Sequence, residues 1–331
     1  MDRSRALAAA VAAVGEAAAV TRTVQAGIAA RSERVLKNDR SPVTVADLAA
    51  QAVITARLHE AFPEIPVLAE EDPTLLRDPA RSDLAAGVLR AVRLVRPDLD
   101  GDAVDRLLGL GGAAGGPRGR FWILDPVDGT KGFLRGQQYA IALALLEDGR
   151  VTLGVLGLPN LPLRPGDPTG PRGVIAGAVR CHGAWLRPLE GGRHSPIRVS
   201  DVSDPRRGSF CESVESAHSS HATTARIASR LGLDAPPYRV DGQTKYAIVA
   251  RGEAAIYLRL PSSPGYREKV WDHAAGSLIV EEAGGRVTDV HGRPLDFSRG
   301  RELGNSGGIV VTNGAIHETV LAAVRAELGR R

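Results

Sequence analysis

The 331-residue chain is poor in aromatics, cysteine and lysine. Aromatics make up only 4% of it. Surfaces that bind single-stranded nucleic acid interleave basic residues with aromatic stacking platforms, and no such run occurs. A formal charge of +4 and a pI near 9.3 therefore favour a small anionic ligand over nucleic acid. There are two cysteines, Cys181 and Cys211, in neither a CxxC nor a Cys/His metal spacing. Two thiols in a chain of this length fit a reducing compartment, and both are read as small core residues. Long apolar runs are also missing. RSRALAAAVAAVG starts basic and continues apolar, somewhat like a signal peptide. Its apolar part is mostly alanine, and Glu16 follows at once. Leu7, Val11 and Val14 recur at helical spacing, so the segment is read as an amphipathic helix. No stretch approaches the ~20 apolar residues of a membrane span. The expectation is a cytoplasmic protein without membrane or nucleic-acid partners.

Of 42 basic residues only four are lysine: Lys37, Lys131, Lys245 and Lys269. Lysine is a compact point charge and arginine a planar fork. If a bias toward arginine has acted on this chain, the surviving lysines mark places where a guanidinium does not fit. Chance placement is the alternative.

What is present is ample for a core, at 43% hydrophobic. Residues 4–31 and 45–62 carry helical spacing, with KNDRSPVTVAD as a polar turn segment between them. IPVLAEED is a short strand ending in acids. Residues 73–120 look like an insertion with two helices, LAAGVLRAVRLV and DAVDRLLGL, closed by a flexible glycine linker. FWILD is a strand, and QYAIALALLEDGRVTLGVLGLP a hairpin about an Asp-Gly turn. GVIAGAVRCHGAWL continues the sheet. Beyond residue 195 short strands alternate with helices, and RVTDVHGRPLDF reads as a second hairpin. The layout is α/β (α+β) in two parts, 1–194 and 195–331.

Six acids end apolar runs or open helices: Asp47, Glu70, Glu71, Asp125, Asp128 and Asp272. Each has a local explanation. Asp47 fits a T-x-x-D helix start, Asp272 an N-cap, and Glu70-Glu71 a solvated pair. Jointly they suggest a hard divalent cation, which takes carboxylate oxygens, waters and substrate phosphate oxygens. In DPVDGT, Asp125, Asp128 and the Val127 carbonyl can turn three oxygens toward one point. Gly129 and Thr130 can offer N–H groups to a phosphate, and the Thr130 hydroxyl can orient a water.

WILDPVDGT, LAEED, SPVTVAD and WDHAAGSLIVEEAGG together resemble the signature blocks of the inositol monophosphatase superfamily, in the family order. KNDRSPVTVAD, DGTKGFLRG, VESAHSSH, QTKYAIVARGEAAIYLRLP and EKVWDHAAG further resemble its 3′(2′),5′-bisphosphate nucleotidases, and all four lysines fall in these blocks. The resemblance implies a layered αβαβα sugar-phosphatase fold, with an antiparallel N-terminal sheet and a smaller mixed C-terminal α/β part. It implies Mg²⁺-dependent, Li⁺-sensitive hydrolysis of the 3′-phosphate of 3′-phosphoadenosine 5′-phosphate, with two or three Mg²⁺ ions. The partner would be a small nucleotide bisphosphate; the assembly is left between monomer and homodimer. Carried over by residue, Glu70, Asp125, Asp128, Asp272 and the Val127 carbonyl would bind metal. Asp47 and Thr130 would position and deprotonate the attacking water. Gly129 and Thr130 would hold the scissile phosphate, and Lys245 and Arg259 the other one. Ser220 and His221 would lie near the nucleotide. Lys37 and Asp39, with Glu71, would support the site. Alternatives are an inositol or sugar phosphatase of the same superfamily and a catalytically silent nucleotide sensor. The chain departs from the family twice: Ala69 stands where G-E-E has glycine, and Gly242 where D-S-Q-x-K-Y has serine.

Overall fold

A computed structural model describes residues 2–28, 34–36, 42–77, 81–215, 221–233, 235–260, 265–304 and 307–329. The chain opens with α1 (Arg3–Ile28), a ribbon of β1 (Arg34–Leu36) and β2 (Pro42–Thr44), and α2 (Val45–Ala61). β3 (Val67–Ala69), α3 (Ser82–Val92) and α4 (Gly101–Gly109) follow. Then come β4 (Arg120–Asp128), α5 (Thr130–Leu134), β5 (Ala140–Glu147) and β6 (Arg150–Pro162). β7 (Arg172–Val179), β8 (Ala184–Pro188) and β9 (Ser195–Pro196) complete a seven-stranded sheet in the order β3-β4-β5-β6-β7-β8-β9. The expectation of an antiparallel sheet needs one correction. β3 runs parallel to β4, because the α3–α4 insertion carries the chain back to the end where β3 began.

The second sheet holds β10 (Phe210–Glu212), β11 (Tyr238–Arg239), β12 (Ile256–Arg259), β13 (Arg286–Asp289) and β14 (Ile309–Thr312). Its order is β11-β10-β12-β14-β13, part parallel and part antiparallel. Between its strands come α6 (His221–Arg230), α7 (Thr244–Ala250) and α8 (Ala274–Glu282), and α9 (His317–Leu328) closes the chain. The expected 286–297 hairpin does not form. β13 pairs with β14 instead, and Asp289 takes the His291 and Arg293 N–H groups, both at 2.9 Å, to close a tight loop. β10, β11 and β9 are too short to leave a pattern in the sequence.

Five layers stack. Alternate residues of each central strand face opposite ways. On β4 and β5, Trp122, Leu124, Ile141 and Leu143 pack with α1 and α2, while Phe121, Ile123, Ala142 and Ala144 join the cluster that includes α8. Coverage on both faces explains why AIALALLE reads as one apolar run rather than an alternation. α7 and α8 lie between the sheets, and α9 covers the far side of the small one with α6 beside it. α1 is, by length and composition, long and apolar enough to cross a membrane, contrary to the sequence expectation. Here Ala10, Val14, Ala17 and Ala18 are fully buried in the cluster it shares with α2 and the large sheet.

Two further expectations change. The linker after α4 is pinned to β3: Ala69 N–H donates to Gly111 O (2.9 Å) and Ala113 N–H to Val67 O (3.0 Å). An edge strand with unpaired backbone groups recruited it. Cys211 is buried, but Cys181 is exposed in the β7–β8 turn at φ +66°.

α8 crosses β6 so closely that a Cβ on Gly154 would stand 2.8 Å from the Ala275 carbonyl oxygen. Gly154→Ala should therefore cost about 1–3 kcal/mol of stability, as overpacking does. Urea unfolding checks this; an unchanged midpoint would contradict the close approach.

Candidate active site

Two acids three residues apart point to opposite faces of a regular strand. β4 solves this with one extra residue. Its ladder to β5 is regular down to Asp125↔Ala142, then shifts so that Asp128 faces Ala140. Three steps on β4 match two on β5, which is a β-bulge. Pro126, without an N–H for the ladder, lies at the break. Asp272 arrives from the other half, on a 3₁₀ turn, Val270–Asp272. Carboxylate oxygens of Asp125, Asp128 and Asp272 then lie within 4.8 Å of one another. Asp272 is not an N-cap: the cap of α8 is His273.

Burial holds Asp125 well above the usual carboxylate range, and Glu70, Asp128, Asp272 and Asp47 add to it in that order. Asp47 sits in the first turn of α2, 1% exposed. Asp128 is pushed up to about 7 by burial and then by Asp272, against the opposing pull of Lys245 and Arg259. Asp125 Oδ1 is buried with no hydrogen-bond partner. A hard cation suits this set: it would satisfy the orphaned oxygen and let the crowded carboxylates ionise together. Glu70 and Glu71 join the wall. Glu70 N–H is bonded to Leu124 O at 3.1 Å, and the Glu71 backbone is clasped by the Gln51 amide at 2.9 and 3.1 Å.

The DGT turn packs against the loop before α7. Gly129 adopts φ +92° and opens α5, and Thr130 Oγ1 donates to the Val127 carbonyl at 3.1 Å. Gly242 adopts φ +63°, and a Cβ there would stand 2.9 Å from the Asp128 carbonyl carbon. Glycine in place of the expected serine is what this contact requires. The next residue, Gln243, escaped the sequence reading. Its N–H donates to Asp128 Oδ2 (2.6 Å), its amide nitrogen to Trp271 O (2.8 Å), and its amide oxygen accepts from Gly276 N–H (3.0 Å). One glutamine thus braces Asp128 against the Asp272 turn and the start of α8.

Lys245 and Arg259 differ from expectation in having protein partners. Lys245 is 2% exposed and donates from Nζ to Gly242 O (2.8 Å) and Val240 O (3.2 Å). Burial lowers its pKa, and Asp128 and Asp241 oppose that. Arg259 lies on the central strand of the small sheet, not an edge. It pairs with Glu268 through Nε (2.7 Å) and with Asp272 through Nη2 (2.8 Å). Burial alone would push Glu268 up; Arg259 and then His273 outweigh it and pull the carboxyl down to about 2. His273 Nε2 lies 3.0 Å from Glu268, and its Nδ1 2.8 Å from the Tyr246 hydroxyl. Glu268 and His273 stand in the quoted EKVWDH block, but spacing alone gave no sign of this buried chain.

A cavity of about 640 Å³ opens beside this network. Glu70, Asp125, Asp128 and Asp272 stand on its wall together with Lys131, Lys245, Arg259 and Lys269. Three of the four lysines therefore face one cavity. Lys131 is 3.6 Å from Glu215, and Lys269 2.9 Å from Glu302. His221 donates from Nε2 to the carbonyl of Ser213, a lining residue, at 3.0 Å. Lys37, Asp39 and Ser220 lie outside the described residues.

The chain belongs to the inositol monophosphatase family, whose model matches residues 2–328. Members of the family are metal-dependent, and the acid cluster could bind metal. Within it, the chain is similar to the 3′(2′),5′-bisphosphate nucleotidase of Schizosaccharomyces pombe, at 42% identity over 88% of this chain and 85% of that one. A protein of the same name from Oryza sativa is 44% identical over 96% of this chain and 93% of its own. Among solved structures, inositol monophosphatase from Anabaena superposes with a TM-score of 0.65 at 21% identity, covering 98% of this chain and 97% of that one. That likeness supports the layered fold.

An acid with a raised folded pKa binds its proton more tightly folded than unfolded. Between an unfolded value of about 4 and a folded one of about 7, Asp128 therefore makes stability fall as pH rises. In chelator-treated protein the melting midpoint should drop between about pH 5 and 7.5, and drop less in Asp128→Asn. A divalent cation should raise the midpoint more at the higher pH. Scanning fluorimetry measures both; equal slopes in the two proteins would remove Asp128 from the account.

Proposed function

We infer that the protein is a phosphomonoesterase that hydrolyses the 3′-phosphate of 3′-phosphoadenosine 5′-phosphate to AMP and phosphate, with Mg²⁺ as the cation. The observation that carries this reading is a single cavity with clustered acids at Asp125, Asp128 and Asp272 and cations at Lys131, Lys245, Arg259 and Lys269. An acid cluster alone would suit any small phosphate ester. Four cationic side chains around it suit a substrate with a second phosphate. The names of the relatives at 42–44% identity support the same substrate class.

Glu70, Asp125, Asp128, Asp272 and the Val127 carbonyl would hold Mg²⁺, in two or three sites. Bound there, Mg²⁺ would neutralise phosphate oxygens and lower the pKa of water. Asp47, buried in the first turn of α2 and one of the charges acting on Asp125, is the proton acceptor for the attacking water. Thr130 orients that water, and its bond to the Val127 carbonyl fixes the hydroxyl rotor. The Gly129 and Thr130 N–H groups hold the scissile phosphate. Lys245 and Arg259 supply positive potential for the second phosphate, with Lys131 and Lys269 adding to it. His221 lies toward the nucleoside. Lithium inhibits by competing at a weakly held Mg²⁺ site.

Purified protein with Mg²⁺ should release phosphate from 3′-phosphoadenosine 5′-phosphate much faster than from inositol 1-phosphate. A colorimetric phosphate assay decides this, and the reverse order would sink the substrate assignment. Asp47→Asn should lower kcat by about 10²–10⁴-fold, the range for a lost general base, with KM little changed. Activity retained in that variant would take the proton away from Asp47.

A further inference from the structure

We propose that Arg301 is a positioning residue that ties the Glu70 loop to the Asp272 turn and so sets how tightly the acid cluster holds a divalent cation. This rests on the reading of the cluster as a cation site. Glu70 and Asp272 come from opposite halves of the molecule, one after the edge strand β3 and the other just ahead of α8. Their separation is therefore not fixed by any one element.

Arg301 spans that gap. Its Nη2 donates to the carbonyl of Ala69, the residue before Glu70, at 2.6 Å. Its guanidinium lies 4.6 Å from the ring centroid of Trp271, the residue before Asp272. The backbone of Ala69 is thereby held from two sides, since its N–H goes to Gly111. The segment carrying Arg301 is itself anchored to the Asp272 side. Val270 N–H donates to Arg301 O (3.1 Å) and Leu303 N–H to Glu268 O (2.9 Å), and Lys269 bridges to Glu302. Arg301 thus rides with the Asp272 turn and reaches across to the Glu70 loop.

The chemistry calls for arginine. One planar group must donate a hydrogen bond in its plane and present a face to an indole at once. Its hydrogen bond goes to a backbone carbonyl, and the Glu70 carboxylate acts on the same guanidinium through space. Groups that orient metal ligands in this way commonly change affinity by about 10–100-fold when removed.

Titration calorimetry of Mg²⁺ into the full chain tests this, comparing the unaltered protein with Arg301→Ala, Arg301→Gln and Glu70→Gln. Arg301→Ala should weaken Mg²⁺ binding by about tenfold or more. The Mg²⁺ concentration for half-maximal turnover should rise in parallel, while kcat at saturating Mg²⁺ stays near the original. A purely structural lesion would lower kcat at all Mg²⁺ concentrations, and that result would overturn the proposal. An unchanged titration in Arg301→Ala beside a weakened Glu70→Gln would overturn the role of Arg301 and leave the cation site standing. An unchanged titration in both would overturn the cation site and this proposal with it. Should Arg301→Ala fail to fold by circular dichroism, Arg301→Gln is read by the same criteria.

Discussion

Carboxylates gathered out of water repel one another, and the centre of this protein is arranged around that repulsion. Asp125, Asp128 and Asp272 converge within 4.8 Å, with Asp47 and Glu70 adding to the field. Left to themselves the chains bearing them would move apart or the acids would stay protonated. Neither escape is easy here. β4 is hydrogen-bonded on both sides, its bulge aims two acids the same way, and Gln243 clamps Asp128 to the turn that carries Asp272. The scaffold holds together charges that only a cation or protons can reconcile.

The second half of the molecule supplies the counterweight. Arg259 is flanked by Glu268 on one side and Asp272 on the other, and His273 and Tyr246 extend the chain of bonds into the interior. Burying an arginine is costly unless it is paired and hydrogen-bonded. Glu268 meets that need from a fully buried position, which frees the guanidinium to lean on Asp272 without being stranded. The cavity's charge is therefore built as a graded series from buried anion to buried cation to wall acid, not as isolated surface pairs.

Much of this was legible in the sequence, because the acids and the turn residues sit in short contiguous blocks. DPVDGT marked the acid-bearing end of β4 and the Asp-Gly pair the β5–β6 turn, and three of the four lysines singled out for their rarity line one cavity. What escaped had long-range causes. Nothing near Asp125 announces that Pro126 shifts a ladder, since a bulge is defined only by the partner strand. Gln243 and Arg301 act by reaching backbone carbonyls far along the chain, and carbonyls carry no sequence signature. Gly242 departs from the family's serine for a reason visible only when the Asp128 carbonyl stands beside it. The 286–297 segment imitates a hairpin in composition; a single aspartate collecting two N–H groups ended it.

The concentration of lysine has a practical side. In most proteins amines are scattered, and a reagent that acylates them labels the whole surface. Among the described residues this chain offers three side-chain amines, all on one cavity wall, and Lys245 is sealed by burial and two carbonyls. Lys131 and Lys269 remain, 45% and 38% exposed, at the cavity's rim. Among the described residues an ordinary amine-selective probe therefore has its accessible targets at the cavity, and protection of Lys131 and Lys269 by a bound anion would report its occupancy directly.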